Sequence, residues 1–192
     1  MRLPALLDEW RALPPSVAWF RIRARRLANA RGDEFTLRSV TRADELGRLI
    51  ELARGRRHVV ELGTGTAWTT VALALADRRR QVVSYDPLVW DGRDDYVGLA
   101  GSAGERITFV EESGESGPAP DAPPTELLFI DSSHEREPTL AEFAAWRDAL
   151  APGAVVAFHD YDEPTYPGVT EAVHELGLEG ERFGHIFIWR SR

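Results

Sequence analysis

Two closely spaced glycines after a predicted strand form the segment of this chain with the clearest chemical potential. A β-branched run over 58–62 contains Glu61, and Gly63 and Gly65 follow it at once. An apolar stretch over 71–76 then suits a helix. A strand, a glycine-rich turn and a helix in this order bring backbone N–H groups at the helix start close to a ligand. The spacing therefore predicts a binding turn, although Gly-x-Gly also occurs in ordinary strand–helix connections.

The charge around this turn indicates which ligand it suits. Glu61 places a carboxylate beside the turn, and no Lys or Arg lies between Leu62 and Ala76 to offset it. A pyrophosphate would be repelled there, whereas an ammonium or sulfonium group would be attracted. The turn therefore favours S-adenosylmethionine over NAD or another nucleotide.

Acidic residues end or directly follow five predicted strands. Because the carboxyl ends of parallel strands meet at one edge of a sheet, where ligands bind, these acids should lie together. Clustered carboxylates cost stability unless a ligand or metal uses them, so the set indicates a site more strongly than any one member. The set is Glu61, Asp86, Glu111 with Glu112, Asp131 and Asp160.

Asp86 lies 21 residues after Gly65, at the end of the second predicted strand. A carboxylate in that place can accept two hydrogen bonds from ribose hydroxyls. The competing interpretation is a local cap before Pro87. NAD enzymes carry an acid at a similar position, so Asp86 alone does not separate the two cofactors.

Hydroxyl side chains near the turn complete the predicted cofactor set. Thr64 lies between the two glycines, and Thr66 or Thr69 near the helix start could bond the methionine carboxylate. Ser113, after the third strand, could approach the adenine. Ser and Thr near helix starts more often act as caps, which is the competing interpretation for each.

A second group of residues follows the fourth and fifth predicted strands. Asp131 and His134 follow one strand, and His159 and Asp160 follow the other. Two carboxylates with two imidazoles suit either a divalent metal or general base chemistry. Mg²⁺ prefers oxygen ligands, which favours Asp131 with Asp160, whereas a histidine ligand would favour a softer metal. Alternatively, His134 caps the next helix and His159 bonds a neighbouring loop.

These residues need a frame in which strands alternate with helices. The chain shows this alternation from residue 58 onward, which predicts an α/β sandwich with a mainly parallel sheet. Thr41 is predicted as the N-cap of a helix that ends near Arg54. The predicted strands are 58–62, 81–85, 106–110, 126–131, 154–159 and one within 181–190, and the predicted helices are 3–13, 17–30, 41–54, 66–76, 94–103, 136–149 and 168–176.

Composition excludes several classes of function. The 192 residues, 43% hydrophobic, suffice for one domain. The chain contains no Cys and no Lys, which removes thiolate chemistry, Schiff-base catalysis and the P-loop lysine. The net charge of −8 disfavours nucleic acid, and the Arg-dense segment 21–31 suits a helix face better than a nucleic-acid site. Without a signal peptide or a long apolar run, we expect a cytoplasmic protein that does not enter a membrane.

Residues 58–176 resemble the class I S-adenosylmethionine-dependent methyltransferases. They are most similar to the small-molecule O-methyltransferases that include the macrocin and cephalosporin-pathway enzymes. The segments that carry the likeness are VVELGTGTAWTT, VVSYDP and LLFIDSSHEREPTLAEFAAWRDALAPGAVVAFHDYDEPTYPGVTEAVHEL.

The resemblance implies a Rossmann-like three-layer sandwich with a mostly parallel seven-stranded sheet whose last strand is antiparallel. It also implies that Glu61, Gly63 and Gly65 hold the methionine part of the cofactor and that Asp86 holds the ribose. Asp131 would lie beside the sulfonium and, in metal-dependent members, would bind Mg²⁺ with Asp160. Two departures are Ala67 in place of the third glycine, tolerable at a helix start, and His159 where metal-binding relatives often carry an acid.

The resulting hypothesis is methyl transfer to a hydroxyl oxygen of a small molecule. Asp131, His134 and His159 are the predicted catalytic residues, and the aromatic walls are predicted at Trp90, Tyr96 and Tyr161. The alternatives are an NAD-dependent oxidoreductase or a non-catalytic module with a methyltransferase fold. Residues 1–40 are predicted to form a helical segment that acts as a lid or an oligomer contact, and residues 41–192 the cofactor-binding domain. A homodimer is left open, since the substrate cover must come from 1–40, from 87–98 or from a second subunit.

Overall fold

The structure, a computed structural model, describes residues 11–192 and is built on one seven-stranded sheet. The strands are β1 His58–Leu62, β2 Gln81–Tyr85, β3 Ile107–Val110, β4 Thr125–Ile130, β5 Leu150–Phe158, β6 Glu181–Phe183 and β7 Ile186–Arg190. Their spatial order is β3-β2-β1-β4-β5-β7-β6. Strands β1 to β5 pair in parallel, and β7 pairs antiparallel with both β5 and β6. The predicted sheet, with its last strand antiparallel, is confirmed.

Helices cover both faces of the sheet and complete the three layers. They are α1 Pro15–Arg31, α2 Glu34–Ser39, α3 Ala43–Leu52, α4 Trp68–Ala76, α5 Arg93–Gly98, α6 Arg136–Trp146 and α7 Pro167–Glu175. Residues of α1, α3 and α4 pack with Val59 and Leu127 in one apolar core. Residues of α6 and α7 pack with Val60 and Leu128 in the other. Neighbouring residues of one strand thus enter opposite cores, which explains why these strands are mainly apolar, since both sheet faces are buried.

The register of the central strands brings their carboxyl ends level. Glu61 pairs with Ser84 of β2 on one side and with Phe129 of β4 on the other. Backbone hydrogen bonds between neighbouring strands continue one residue past the strand ends. The Gly63 N–H donates to the Tyr85 carbonyl at 2.8 Å. The Asp131 N–H likewise donates to the Leu62 carbonyl at 2.8 Å. The turn residues are therefore held by the sheet itself.

The segment before β1 differs from the sequence prediction. The predicted helix 3–13 lies largely outside the described residues. Helix α1 is present, but Arg21 is fully buried and donates to the Thr41 carbonyl at 2.9 Å, so this arginine is not on an exposed face. Thr41 is not an N-cap: α3 starts after Arg42, and the Thr41 hydroxyl bonds Thr69 at 3.0 Å. The tertiary contact outweighs the local capping preference.

Four further boundaries differ from the prediction. The predicted helix 94–103 is split into α5 and a 3₁₀ turn at Gly101–Arg106, and the predicted helix 136–149 ends in a 3₁₀ turn at Arg147–Ala149. Strand β5 begins at Leu150 rather than 154, and the tail 181–190 forms a hairpin of β6 and β7. No helix within residues 11–192 combines the length and hydropathy needed to cross a membrane.

Candidate active site

The glycine turn after β1 is held tightly against the end of β4. A Cβ on Gly63, whose φ is +96°, would lie 2.0 Å from the Asp131 carbonyl oxygen. Only glycine fits that close approach. Ala67, which replaces the third glycine of the resembled motif, has a φ of 67° and is the N-cap of α4. Ala67 therefore lies at the helix start, as expected, but in a left-handed conformation that costs alanine more than glycine.

Glu61 lies fully buried at the base of this turn. It accepts a hydrogen bond of 2.7 Å from the Ser84 hydroxyl and a second one from the Thr70 hydroxyl. Burial raises the pKa of Glu61 to about 8, and the charges of Asp131 and Asp86 add to this although the two hydroxyls oppose it. The carboxyl group is therefore ready to ionise when a positive charge approaches.

Asp86 connects the end of β2 to the glycine turn. Its Oδ2 accepts the Gly65 N–H at 2.9 Å, and its Oδ1 accepts the Leu88 N–H at 2.9 Å. The bond to Leu88 is the local cap that the sequence left open. The bond to Gly65 fixes the carboxylate beside the turn, where it lines the same cavity as Glu61.

The predicted hydroxyl residues also line this cavity. Thr64 Oγ1 is 2.7 Å from Ser84 Oγ, and Thr69 Oγ1 is 3.0 Å from Thr41 Oγ1. Ser113 accepts the Glu115 N–H at 3.3 Å and so begins a 3₁₀ turn. These hydroxyls thus make capping or tertiary contacts while bordering the cavity.

The second predicted group comes together at the ends of β4 and β5. His134 Nδ1 lies 3.0 Å from Asp160 Oδ2. His159 Nδ1 lies 3.1 Å from both Asp131 Oδ1 and Asp160 Oδ2. Burial would lower the pKa of His134, but the hydrogen bond that it donates to Asp160 and the charges of Asp131 and Asp160 raise it. Burial would raise the pKa of Asp160, but the two histidines hold it well below the usual range.

His159 lies behind the cavity rather than in its wall. Its Nε2 faces Glu45 Oε2 of α3 at 3.6 Å, and neither His159 nor Asp160 is among the residues lining the cavity. Burial opposes the protonated form of His159, but Asp131, Asp160 and Glu45 outweigh it and raise its pKa well above the usual value. The resulting imidazolium offsets the charge of the three surrounding carboxylates.

The cavity has a volume of about 480 Å³, within the range of small-molecule sites. Its walls come from the ends of β1, β2 and β4, from the segment after β3 and from α2. Trp68 lines it, and its buried indole N–H has no hydrogen-bond partner among the described residues. Five acids line it, namely Glu61, Asp86, Glu115, Asp131 and Glu142.

Two of the proposed aromatic walls are placed elsewhere. Tyr96 is fully buried and donates from its hydroxyl to Asp33 at 2.6 Å. Tyr161 packs on Phe187 at 4.9 Å between ring centroids, outside the cavity lining. Trp90 does line the cavity and stacks on Phe35 of α2 at 4.1 Å. Tyr96 and Tyr161 thus serve packing rather than ligand contact.

The sequence interpretation missed Glu142 of α6. This buried carboxyl lines the cavity and accepts a hydrogen bond of 2.6 Å from Ser132 Oγ. Burial raises its pKa to about 7, although the bond from Ser132 opposes the shift. A glutamate directly before Phe143 and four residues before Trp146 gives only a weak signal without the fold.

Comparison with known proteins identifies the family. The family model described as a methyltransferase domain matches residues 60–161, which is more than half of the chain. The chain therefore belongs to this family of methyltransferase domains, and the resemblance inferred from the sequence is confirmed. No curated protein matches the chain significantly.

Solved structures of methyltransferases share the fold. A TDP-rhamnose 3′-O-methyltransferase of calicheamicin biosynthesis superposes with a TM-score of 0.60 at 20% identity, over 77% of this chain and 76% of that one. The O-methyltransferase TomG from Streptomyces achromogenes, in complex with SAM, gives 0.62 at 19% identity over 83% and 86%. An O-methyltransferase from Bacillus cereus, in complex with SAH, gives 0.66 at 13% identity over 88% and 90%. These comparisons lend no support to an NAD-dependent oxidoreductase.

Proposed function

We propose that the chain is an S-adenosylmethionine-dependent methyltransferase that acts on a hydroxyl oxygen of a small molecule. The observation that carries this proposal is the acid-lined cavity at the carboxyl ends of β1, β2 and β4. The Asp86 carboxylate is fixed there on the Gly65 N–H at 2.9 Å. The O-methyltransferase neighbours, two of them in complex with SAM or SAH, support the same assignment.

The residues present fit this cofactor. Glu61 would meet the positive charge of the methionine part, and Asp86 would bond the ribose. Thr64, Thr69 and Ser113 are placed to contact polar groups of the cofactor along the same wall. The unpartnered indole N–H of Trp68 offers one more donor. When bound, the cofactor supplies an electrophilic methyl group on a sulfonium ion.

The base in this proposal is His134. Its ring lines the cavity, and the bond of 3.0 Å between its Nδ1 and Asp160 leaves Nε2 to take a proton from the acceptor hydroxyl. A nitrogen base oriented by a carboxylate is a general arrangement for activating hydroxyl nucleophiles. Asp131 borders the reacting centre, and His159 acts as a positioning residue that holds Asp131 and Asp160 from behind. The walls provide alignment and exclude water.

A divalent metal is a second element of the proposal. One ligand atom each from Asp131, His134 and Asp160 lies within 4.8 Å of the others, so this donor set can surround one cation. Such an ion would lower the pKa of an acceptor hydroxyl. Mg²⁺ would rely on Asp131 and Asp160, while participation of His134 would suit a softer ion.

Part of the cover over the substrate site comes from residues 1–40 in this proposal. Phe35 and Ser39 of this segment line the cavity, and Phe35 stacks on Trp90 of the loop after β2. This contact supports a role for residues 1–40 in closing the site over the domain 41–192. A homodimer would extend the cover further. The net charge of −8 argues against a nucleic-acid acceptor.

Calorimetric titration with S-adenosylhomocysteine, with and without Mg²⁺, tests the proposal. We expect one binding site per chain, and no heat of binding with NAD. Binding of NAD in place of S-adenosylhomocysteine would support the oxidoreductase, and binding of neither would support a non-catalytic module. A change of affinity when Mg²⁺ is added would support the metal.

A further inference from the structure

The charged residues that line the cavity are almost all acidic. Five acidic residues line it, and among residues 11–192 no arginine does. The basic side chain in the lining, His134, is bound to Asp160. Because burial keeps Glu61 mostly and Glu142 partly protonated near pH 7, the negative potential of the cavity comes chiefly from Asp86, Glu115 and Asp131.

Two arginines that lie close to lining residues along the chain are engaged with other groups. Arg93 lies over the Phe109 ring at 4.6 Å and within 3.8 Å of Glu111. Arg136, two residues after His134, forms ion pairs with Glu137 and Glu175. These guanidinium groups are therefore not directed at an acceptor that carries phosphate or carboxylate.

The rim of the cavity has the opposite character, because it is apolar and aromatic. Leu88 is 58% exposed and Tyr166 is 40% exposed, and both line the cavity. The Tyr166 ring lies 4.5 Å from the His134 ring, directly beside the proposed base. Phe35 and Trp90 form a second aromatic wall, stacked with an angle of 8° between their planes. Flat apolar ligands pack well against such surfaces.

We propose that the cavity selects its acceptor by charge and shape. The acceptor is a ring-containing alcohol or phenol without negative charge, and anionic acceptors such as nucleoside diphosphate sugars are excluded. This inference rests on the proposed function and narrows its substrate class. The apolar ring lies against Tyr166, its hydroxyl points to His134, and the acidic walls repel any phosphate or carboxylate on the same molecule.

Three matched phenols test the inference on the full chain loaded with S-adenosylhomocysteine. Tyramine carries a cationic tail, tyrosol a neutral one and 4-hydroxyphenylacetate an anionic one. Intrinsic tryptophan fluorescence, to which Trp90 in the cavity wall contributes, and calorimetry both report binding. We expect the anion to bind at least about tenfold more weakly than tyrosol, a ratio equivalent to about 1.4 kcal/mol. The difference in affinity between the anion and tyrosol should decrease in about 0.5 M salt, because salt screens the repulsion.

Ser133 offers a matched pair of variants. It lines the cavity and is exposed, and its hydroxyl makes only a 3.4 Å contact with the Glu135 N–H. Ser133→Arg should raise the affinity for 4-hydroxyphenylacetate several-fold, whereas Ser133→Gln should leave it unchanged. Since the position is exposed, both variants should keep the fold, which their circular dichroism checks.

The outcomes separate this inference from the proposed function. If S-adenosylhomocysteine itself does not bind, the proposed function fails. If it binds but the anion binds as well as tyrosol, or none of the three phenols binds, the charge-and-shape inference is overturned while the proposed function stands. If Ser133→Gln and Ser133→Arg raised the affinity for 4-hydroxyphenylacetate equally, the inference would also be overturned, because charge would then not be the cause.

Discussion

Binding of S-adenosylmethionine should release a proton from Glu61. Burial raises the pKa of this carboxyl group to about 8, with a further contribution from Asp131 and Asp86. At pH 7 a group with that pKa is protonated in about nine molecules of ten. A sulfonium and an ammonium group beside Glu61 favour its charged form and lower the pKa in the complex. The proton must therefore leave as the cofactor enters.

The number of protons released follows from the thermodynamic linkage between protonation of Glu61 and cofactor binding. About 0.9 proton should be released per cofactor at pH 7 and about 0.5 at pH 8. The same relation makes the apparent affinity roughly fivefold tighter at pH 8 than at pH 7, with at most a further twofold gain above that. Calorimetry at each pH in two buffers of different ionisation enthalpy measures the released protons directly.

Glu61→Gln provides the control for this experiment. Glutamine has nearly the same shape and can keep contacts with Thr70 and Ser84, but it does not titrate. Subtracting its data removes the titration of the amino group of the ligand. If the wild type and Glu61→Gln release the same number of protons at both pH values, the assignment of Glu61 to the cofactor is refuted.

Three other perturbations have defined outcomes. Asp86→Ala should weaken binding of S-adenosylhomocysteine by about 1–3 kcal/mol in calorimetry, and unchanged affinity would contradict the ribose assignment. Gly63→Ala should lower the free energy of unfolding by more than about 2 kcal/mol, since its Cβ would lie 2.0 Å from the Asp131 carbonyl oxygen. Gly98→Ala is the control: the added Cβ would lie in open space, so the free energy of unfolding should hardly change. Urea titration measures both variants. His159→Gln should cost about 3–5 kcal/mol below pH 6.5 and less as the pH rises through the raised pKa of His159, and a pH-independent loss would contradict the buried imidazolium.

Much of the fold could be predicted from local patterns. The bounds of β1 and β2 match the predicted strands 58–62 and 81–85, because a pair of valines forms the centre of each and strands buried on both faces are rich in such residues. Gly32 ends α1 in a left-handed conformation, as expected of a helix C-terminus. Strand β6 is not among the strands predicted from the residue pattern, because it is only three residues long and exposed throughout, so it has no apolar periodicity.

The site could be predicted in outline but not in its supporting contacts. Acids at strand ends are visible in the sequence, since the sheet brings their positions together. Glu45 is 114 residues before His159 in the chain, and nothing in the pattern of α3 indicates their ion pair. Thr41 was misassigned for the same reason, because its partner Thr69 belongs to a different helix. Local propensity gives such polar residues a capping role, and only the assembled fold reveals a distant partner.

The ladder bonds that extend past the strands have a consequence for how this architecture diversifies. The amide protons of Gly63, Asp131 and His159 are bonded to neighbouring strands at 2.8–2.9 Å, so they should exchange with solvent as slowly as the sheet interior. The N–H groups of Leu88 and Tyr166, in the loops farther from the sheet, donate to Asp86 and Glu163 instead and are not bonded to a strand. Evolution or an engineer can therefore change the Tyr166 loop with little effect on the sheet-bonded residues Gly63 and Asp131, which we propose to contact the methyl donor.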